Sequence, residues 1–316
     1  MPRAPDFATI RGLRVGQAET PDGASGVTVV VFDALAPTVV DVRGGASATY
    51  DTASLALDAT YGRRWAVFFS GGSLYGLDAA RGIRVRLLET GARATAFRNP
   101  NPVVQISGAA LFDLPPRLAP NPHSLPLGYD AARTASRDPV RIGRAGAGAG
   151  ATIGKYLGRD RAMRGGLGAR AARVGRSGTI GVLVAVNAVG AVRDPGSGRW
   201  VAGARGRRGI VPPYGPAAGG DRTSATTLGL VATDLRLDRP TLQRIAAIVQ
   251  SGLASAIVPF HSSTDGDVLF AAATGAAGAP PVEQRPGGTA DHLGLLAARL
   301  AVGAVLDAVR VANRVR

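Results

Sequence analysis

Two adjacent threonines, Thr226 and Thr227, stand where a polar stretch gives way to the apolar run at 228–231. A threonine hydroxyl becomes a nucleophile when an amine takes its proton, and the free α-amino group of an N-terminal threonine can do this. β-Branched residues are also typical of strands, so a polar loop leading into a strand explains the same pattern. Thr226 is therefore either the start of a strand or a nucleophile made N-terminal by self-cleavage.

Two other single residues have types that chemistry could use. Lys155 is the one lysine among 37 basic residues. Burial can lower the pKa of a lysine, whereas arginine stays charged, so Lys155 is either retained for that property or left over from the bias towards arginine. Asn187 interrupts the apolar run VLVAVNAVGAV. It is either a core amide with satisfied hydrogen bonds or a donor of an oxyanion hole.

Two carboxylates, Asp265 and Asp267, flank one glycine in the sequence TDGD. Asp-Gly is a common turn sequence, which explains the pair without any chemistry. The carboxylates could also orient an amine or stay ionised beside a cation. A two-metal site would need further ligands.

The composition excludes several other kinds of site. The chain has no cysteine, which excludes disulfides, cysteine-ligated zinc and a cysteine nucleophile. The three histidines are far apart in the sequence, so we expect no metal centre. The glycine-rich stretch 146–155 lacks the spacing of a phosphate-binding loop, because Ala149 replaces its first glycine and Tyr156 its Ser or Thr. No cofactor is expected.

Charge and hydropathy favour a soluble chain without nucleic-acid or membrane partners. The formal net charge is +15, and residues 1–225 hold 29 basic against 15 acidic residues. The arginines are scattered without an aromatic-rich basic stripe, which favours a solvated surface over nucleic-acid binding. No apolar signal segment begins the sequence, and charges interrupt the apolar stretch 293–313. We therefore expect a cytoplasmic location.

Strands and helices are both expected, without the regular alternation of a doubly wound sheet. Residues 99–141 are rich in proline and predict a long surface excursion, and 204–225 predicts an exposed linker. The turn PGSG at 195–198 predicts a hairpin. The patterns predict strands at 27–33, 38–45, 64–73, 179–194 and 226–235, and helices at 75–91, after Asp238 with Pro240 in the first turn, and along 293–313.

Several motifs occur in one order along nearly the whole chain. They include GLRVGQAE (12–19), SGGSLYGLDAARG (70–82), AALFDL (109–114), GAGAGATIGK (146–155), LVAVNAVGAVRDP (183–195), TTLGLVATD (226–234) and PFHSSTDGDVLFAAATG (259–275). Through them the chain resembles the DmpA-type L-aminopeptidase/D-esterase family of self-processing N-terminal-nucleophile hydrolases. That family includes β-peptidyl aminopeptidases and nylon-oligomer endohydrolases.

The resemblance implies an α+β fold, a four-layer sandwich with two central β-sheets flanked by helical layers. It implies a precursor that cuts itself between Ala225 and Thr226. The products would be a large subunit of residues 1–225 and a small subunit of residues 226–316, both within one structural domain. Assembly as a homotetramer of cleaved protomers, without cofactor or metal, is also implied.

Five residues match family active-site positions. Thr226 would attack the substrate amide, with its own α-amino group as general base. Asn187 would belong to the oxyanion hole, and Lys155 would position groups or stabilise charge around the nucleophile. Asp265 and Asp267 would hold the α-amino group and the lysine in a charged network.

Two positions depart from the family pattern. Ala225 stands where the family usually has Asn, and self-cleavage at that peptide bond needs strain and oxyanion stabilisation. Asp221 or Ser224 could substitute for the missing amide. Phe112 stands where some relatives carry Tyr, so one hydroxyl is lacking.

The implied function is hydrolysis of short peptides and amides, aminopeptidase-like, through an acyl-Thr226 intermediate. A nylon-type 6-aminohexanoate-oligomer endohydrolase is the alternative with the same chemistry. Acyl transfer of the ornithine-acetyltransferase type is an alternative of another class, although its Lys-Gly-Thr junction is absent. A non-enzymatic basic protein would instead bind polyanions with a steep salt dependence.

Overall fold

The structure is a computed structural model that describes residues 5–91, 103–113, 124–175, 178–213, 225–277 and 288–314. Its helices are α1 (Ala79–Glu89), α2 (Ser124–Arg133), α3 (Arg239–Ala256) and α4 (Thr289–Ala312). Its strands are β1 (Leu13–Glu19), β2 (Gly26–Val42), β3 (Ala48–Tyr50), β4 (Arg63–Ser70), β5 (Ile106–Ala110), β6 (Thr152–Ile153), β7 (Met163–Arg164), β8 (Gly166–Val174), β9 (Gly178–Asn187), β10 (Ala191–Arg193), β11 (Trp200–Ala202), β12 (Ala204–Gly206), β13 (Gly209–Val211), β14 (Thr226–Thr233), β15 (Ile257–Val258) and β16 (Val268–Ala273).

The long strand β2 joins two half-sheets. Its N-terminal half pairs with β1 and β4, and its C-terminal half pairs with β16. The strand order is β3-β5-β4-β2-β16-β14-β9-β8, with β1 paired to β2. The register of β2 against β4 shifts between Val31 and Ala36, and such a bulge bends a strand. We call β1, β3, β4 and β5 the first half-sheet, and β8, β9, β14 and β16 the second.

Three apolar clusters separate four layers. The central cluster lies between the half-sheets and includes Phe69 of β4 and Phe270 of β16, whose ring centroids are 6.5 Å apart. The second cluster lies between the second half-sheet and helices α3 and α4, and the third between the first half-sheet and helices α1 and α2. The order helix–sheet–sheet–helix confirms the predicted four-layer α+β sandwich.

Two local predictions are confirmed by hydrogen bonds. Asp238 caps α3 by accepting a hydrogen bond from Thr241 N at 2.9 Å, and Pro240 stands in the first turn. Strands β10 and β11 pair antiparallel around the turn at 195–198. Helix α4 carries Arg299 and Asp307 within its apolar sequence, and no helix among the described residues has the length and hydropathy to cross a bilayer.

The predicted surface excursion at 99–141 is wrong for much of its length. Residues Ile106–Ala110 form the buried strand β5, and Ser124–Arg133 form helix α2. Strand β5 pairs parallel with β4, which buries its small residues between neighbours. Gly128 lets α2 approach α1 closely, because a Cβ there would lie 2.1 Å from Ala79 O. Gly128 therefore serves helix packing rather than a loop.

Four other predicted boundaries are also corrected. The runs 27–33 and 38–45 fall on the single strand β2, which ends at Val42, and the run 179–194 is interrupted after Asn187. The predicted helix at 75–91 begins only at Ala79, after a 3-10 turn. The predicted linker begins with the hairpin of β12 and β13, and its remaining residues 214–224 lie outside the described residues.

Candidate active site

Thr226 is the first residue of β14, the strand between β9 and β16 in the second half-sheet. Every residue of β14 is buried, and Thr226 is 3% exposed. Strand β9 runs antiparallel to β14, and Asn187 is the partner of Thr226 in that register. The threonine therefore starts a strand, as one interpretation of the sequence predicts, and also lies beside the candidate oxyanion amide.

The peptide bond before Thr226 is held by the turn that carries the two aspartates. Ala225 N donates to Thr264 O at 3.1 Å, and Gly266 N donates to Ala225 O at 2.7 Å. Thr226 Oγ1 donates to the same carbonyl oxygen at 2.5 Å. The hydroxyl thus lies against the carbonyl group that it would attack in self-cleavage.

Lys155 is buried beside Asn187. Its Nζ donates to Asn187 O and to Asn187 Oδ1, both at 2.8 Å. Oδ1 also accepts from Thr152 N at 2.9 Å, and Asn187 Nδ2 donates to Phe112 O at 2.9 Å. Because an amide nitrogen carries two hydrogens, one N–H of Asn187 has no acceptor among the described residues. That N–H can donate to an oxyanion.

A glycine turn brings Lys155 to this position. Gly154 has a φ of +77°, and a Cβ there would lie 2.0 Å from Gly203 C, so glycine is required. The next backbone amide, Lys155 N, donates to Val189 O at 3.0 Å. This bond attaches the lysine turn to the chain directly after β9, and so fixes Nζ against Asn187.

The charge of Lys155 changes close to neutral pH. Burial, with a smaller contribution from the positive charge of Arg159, lowers the pKa of Lys155 to about 7. The carboxylates of Asp265 and Asp113 act in the opposite direction. An arginine in this place would remain charged, so this is the property that distinguishes the single lysine from the other basic residues.

Asp265 connects the turn to two parts of the site. Its Oδ1 accepts from Val189 N at 3.2 Å, and its Oδ2 accepts from Ser262 Oγ at 2.6 Å. Its backbone forms a parallel β-bridge with Ala225. Burial raises the pKa of Asp265, and the neighbouring charge of Asp267 raises it further. The carboxylate therefore sits beside the candidate cleavage point.

Asp267 is fully buried and holds the backbone on the other side of Thr226. Its Oδ1 accepts from Thr227 N at 2.7 Å, and its Oδ2 accepts from His261 N at 2.9 Å. His261 Nδ1 is 3.2 Å from the same Oδ2, and His261 has a φ of +60°, which is rare outside glycine. The described residues contain no group of three or more His, Cys, Asp or Glu that could hold a metal ion.

The five residues singled out from the sequence form one connected cluster. Together with Gly266 N, the cluster combines a hydroxyl and an N–H donor on one carbonyl group, an amide on the neighbouring strand, a lysine of lowered pKa and two buried carboxylates. These are the parts needed for acyl transfer to a hydroxyl.

A comparison with protein families decides the membership of the chain. The model of peptidase family S58 matches residues 7–316. The chain belongs to peptidase family S58. This membership confirms the resemblance that the motifs indicated.

Curated relatives of this S58 chain have two kinds of name. An uncharacterized aminopeptidase of Mycobacterium tuberculosis (strain ATCC 25618 / H37Rv) is 36% identical over 294 residues, which cover 86% of this chain and 82% of the relative. A 6-aminohexanoate-oligomer endohydrolase of Kocuria sp. (strain KY2) is 32% identical over 312 residues, which cover 95% of this chain and 84% of the relative. Both matches span the whole cluster.

Solved structures share the fold of this S58 chain. The L-aminopeptidase D-Ala-esterase/amidase from Ochrobactrum anthropi, described as a variant of the Ntn hydrolase fold, superposes with a TM-score of 0.66 at 20% identity. That superposition covers 97% of this chain and 85% of the other. A Burkholderia sp. beta-aminopeptidase superposes with a TM-score of 0.64 at 20% identity, over 98% and 86% of the two chains. The fold is thus shared with structures that are only 20% identical in sequence.

The backbone groups of the site were not predictable from the sequence. The donors Gly266 N and Thr152 N and the acceptor Phe112 O contribute no side chain, so residue type gives no signal for them. Gly266 had one indirect signal, its place between the two aspartates. A Cβ on Gly266 would lie 2.7 Å from Thr226 Oγ1, so only glycine leaves room for the hydroxyl.

Asp113 was also missed, although it lies in the quoted motif AALFDL. Its Oδ1 accepts from Gly72 N at 2.8 Å, and burial raises the pKa of Asp113 to about 6. The residues proposed as substitutes for the missing amide, Asp221 and Ser224, lie outside the described residues.

Proposed function

We propose that this S58 chain cuts itself between Ala225 and Thr226 and then hydrolyses amide bonds with Thr226 as nucleophile. One observation carries the proposal. Thr226 Oγ1 and Gly266 N both hydrogen-bond to Ala225 O, at 2.5 Å and 2.7 Å, so nucleophile and oxyanion donor meet at one peptide carbonyl. The products are a large subunit of residues 1–225 and a small subunit of residues 226–316.

Self-cleavage begins when Thr226 Oγ1 attacks the carbonyl carbon of Ala225. The oxygen of that carbonyl becomes an oxyanion, to which Gly266 N donates. The carbon–nitrogen bond then breaks, and the hydroxyl proton passes to the departing nitrogen of Thr226, which becomes an amine. Water hydrolyses the resulting ester, which leaves a carboxylate on Ala225 and a free hydroxyl on Thr226.

The backbone N–H of Gly266 compensates for Ala225, which stands where the family usually has Asn. An alanine offers no side-chain donor to its own carbonyl oxygen, whereas Gly266 N already donates to that oxygen at 2.7 Å. A preorganised backbone donor stabilises an oxyanion without having to reorganise. We therefore expect self-cleavage to proceed with Ala225 in place.

In the mature enzyme the freed α-amino group of Thr226 takes the proton from its own hydroxyl. The hydroxyl attacks a substrate amide, and the spare N–H of Asn187 donates to the oxyanion. Lys155 as an ammonium supports that negative charge through its bonds to Asn187. Asp267 holds the backbone directly after the nucleophile through Thr227 N, and Asp265 holds Val189 N, two residues after Asn187. The α-ammonium group passes the proton to the leaving nitrogen as the carbon–nitrogen bond breaks, the amine departs, and water hydrolyses the acyl-Thr226 ester.

Short peptides and amides are the proposed substrates, because aminopeptidase is the name of relatives that are 36% identical. Oligomers of 6-aminohexanoate are the second candidate, because the endohydrolase of Kocuria sp. matches 95% of this chain. Both substrate classes contain the same unactivated amide bond. Parallel assays with a set of dipeptides and a linear 6-aminohexanoate trimer distinguish the two by kcat/KM.

We also propose that cleaved protomers assemble as a homo-oligomer, a tetramer by family resemblance. Support comes from exposed apolar side chains in the 3-10 turn before α1 and along α1: Leu74, Tyr75, Val85 and Leu88. Apolar surface of this kind favours burial against another subunit. Light scattering of the cleaved protein measures the number of protomers directly.

The adjacent threonines provide the test of the proposed nucleophile. Thr226→Val and Thr227→Val remove the same hydroxyl group from neighbouring buried positions. Thr227 Oγ1 has no hydrogen-bond partner among the described residues, so its loss should be harmless to folding. We expect Thr226→Val to remain one chain and to lose at least about a thousandfold in amide hydrolysis. Thr227→Val should cleave and hydrolyse like the wild type.

The readouts are intact mass and the rate of amide hydrolysis, measured on the same samples. Thr226→Ser keeps a hydroxyl and should retain both activities in part. Equal cleavage and hydrolysis in Thr226→Val and Thr227→Val would show that the nucleophile lies elsewhere.

A further inference from the structure

A cavity of about 310 Å³ opens beside the proposed oxyanion amide. Phe112 and Thr152 line this cavity, and both also bond to the side chain of Asn187, through Phe112 O and Thr152 N. Asn187 therefore connects the wall of the cavity with Thr226, its partner in the register of β9 and β14. Its volume lies at the small end of ligand pockets and fits a short fragment of a substrate.

Three arginines line this cavity: Arg144, Arg159 and Arg164. The guanidinium of Arg159 lies over the ring of Phe112, 4.8 Å from its centroid. Burial, followed by the charges of Arg144 and Arg205, lowers the pKa of Arg164. Arg144 and Arg164 therefore lie close enough for their like charges to act on each other.

Within the described part of the chain, neither Arg144 nor Arg164 has a carboxylate partner. Elsewhere in that part, arginines such as Arg141 and Arg170 pair with Glu19 and Asp307 at 2.8 Å and 2.7 Å. Gathered cations without partners repel each other, and an anion that enters between them relieves that repulsion. The guanidinium fork matches a carboxylate in shape and can bind it with two parallel hydrogen bonds.

Two acidic residues also line the cavity, and both bind the surrounding backbone. Asp22 Oδ1 accepts from Thr20 Oγ1 at 2.6 Å and from Ala24 N at 3.0 Å. Asp113 Oδ1 accepts from Gly72 N at 2.8 Å. These bonds hold the loops that form the wall. The cavity keeps an excess of positive charge, with three arginines against these two carboxylates.

We propose that Arg144 and Arg164 bind a carboxylate of the substrate, so that the preferred substrates are short peptides or oligoamides with a free carboxylate close to the amide that is cut. The inference rests on the proposed amide hydrolysis and names the substrate class for it. Neutral amides of the same length would lack the ion pair and would react more slowly. Arg159 and Phe112 form the apolar and cationic wall against which the chain of the substrate lies.

Matched substrate pairs test this preference. On the leaving-group side, an aminoacyl-glycine is compared with the aminoacyl-glycinamide. On the acyl side, glutamyl p-nitroanilide is compared with glutaminyl p-nitroanilide. In at least one pair we expect the wild type to favour the free acid by about tenfold or more in kcat/KM, as expected for a hydrogen-bonded ion pair.

Arginine variants then link the preference to the cavity. Arg144→Gln and Arg164→Gln should each lower kcat/KM for the acid, and together they should bring it to the value of the carboxamide. The readout is the ratio of kcat/KM for the acid to kcat/KM for the carboxamide, because a folding defect would lower both values and leave that ratio unchanged. Arg244→Gln, an exposed arginine on α3, is the matched control and should keep the full preference.

Three outcomes would overturn the inference. These are equal rates for acid and carboxamide in both pairs, a wild-type preference for the carboxamide, or an acid preference that survives in the double variant. Failure of the proposed function looks different. In that case neither form would be hydrolysed faster by the wild type than by Thr226→Val.

Discussion

The cluster around Thr226 and the neighbouring arginine-lined cavity differ in whether their charged groups have partners within the protein. In the cluster each charged group is bonded to the protein itself, as Lys155 is to Asn187 and Asp267 to Thr227 N. In the cavity, Arg144 and Arg164 have no carboxylate partner in the described part of the chain. Catalysis needs charged groups that the protein already holds in place, whereas recognition of a charged ligand needs side chains that are free to pair with it. In our proposal the cluster therefore catalyses the reaction, and the cavity binds the carboxylate of the substrate.

A larger side chain at position 266 should have the largest effect on rate. In Gly266→Ala the new Cβ would lie 2.7 Å from both Thr226 Oγ1 and Ala46 O, which moves either the hydroxyl or the donor turn. Loss of one oxyanion donor costs about 100- to 1000-fold in rate, and we expect self-cleavage to slow by that factor. The rate of appearance of the fragment that begins at Thr226, followed by mass spectrometry, measures it.

The control for this change is Gly196→Ala in the β10–β11 turn. Its Cβ would meet only Asp194 Oδ1, at an ordinary 3.4 Å, so cleavage should be unaffected. If Gly266→Ala cleaves at the wild-type rate, the backbone donor is not part of the cleavage machinery.

A change at Arg159, which connects the cavity with the cluster, should have an intermediate effect on the pH dependence of the rate. Arg159 lines the cavity, and its charge helps to lower the pKa of Lys155 in the cluster. Removing that charge in Arg159→Gln should raise the pKa of Lys155 above about 7. Because the ammonium form supports the oxyanion, the falling limb of the pH–rate profile should move to higher pH.

The measurement is kcat/KM for one neutral amide substrate between pH 6 and pH 10, again with Arg244→Gln as control. A neutral substrate keeps the proposed carboxylate contact out of the comparison. If the falling limb of the pH–rate profile does not move in Arg159→Gln, the charge of Arg159 does not influence the pKa of Lys155.

The remaining effect should be on stability rather than on rate. Lys155 has a pKa of about 7 in the folded chain, against an ordinary value of 10.5. The unfolded chain therefore binds more protons between these values, and stability rises with pH in that window. Relative to Lys155→Met, the wild-type lysine should become less destabilising from pH 7 to pH 10, by at most about 1.4 kcal/mol per pH unit.

Urea unfolding of both proteins at several pH values checks this, in a Thr226→Val background so that neither chain is cut. All other ionisable groups are shared and cancel in the difference. A difference that is constant with pH would show that Lys155 titrates normally.

Local signals in the sequence were sufficient for several elements. The strand that begins at Thr226, the capped helix after Asp238 and the hairpin around 195–198 all follow from residue types at fixed offsets. Strand β5 did not, because its sequence ISGAA has small residues and a glycine, and its pairing with β4 makes it a strand. Helix α2 was missed because Pro126 and Gly128 resemble loop signals, although one stands in the first turn and the other allows contact with α1.

The candidate site also has parts that the sequence predicts and parts that it does not. The side chains of the cluster were predictable because they fall within motifs of one family in one order. The donor Gly266 N and the grouping of Arg144 with Arg164 were not, because one is a backbone atom and the other depends on how distant loops fold together. In a chain whose basic residues are almost all arginine, composition cannot distinguish a binding arginine from a surface arginine.

The central claim is that activity appears only when the amine of Thr226 is freed. The most direct measurement follows intact mass and amide hydrolysis together while freshly purified chain matures. We predict that hydrolysis rises in proportion to the fraction cut into fragments beginning at Met1 and Thr226. An uncut 316-residue chain that hydrolyses amides as fast as the cut one would contradict the claim.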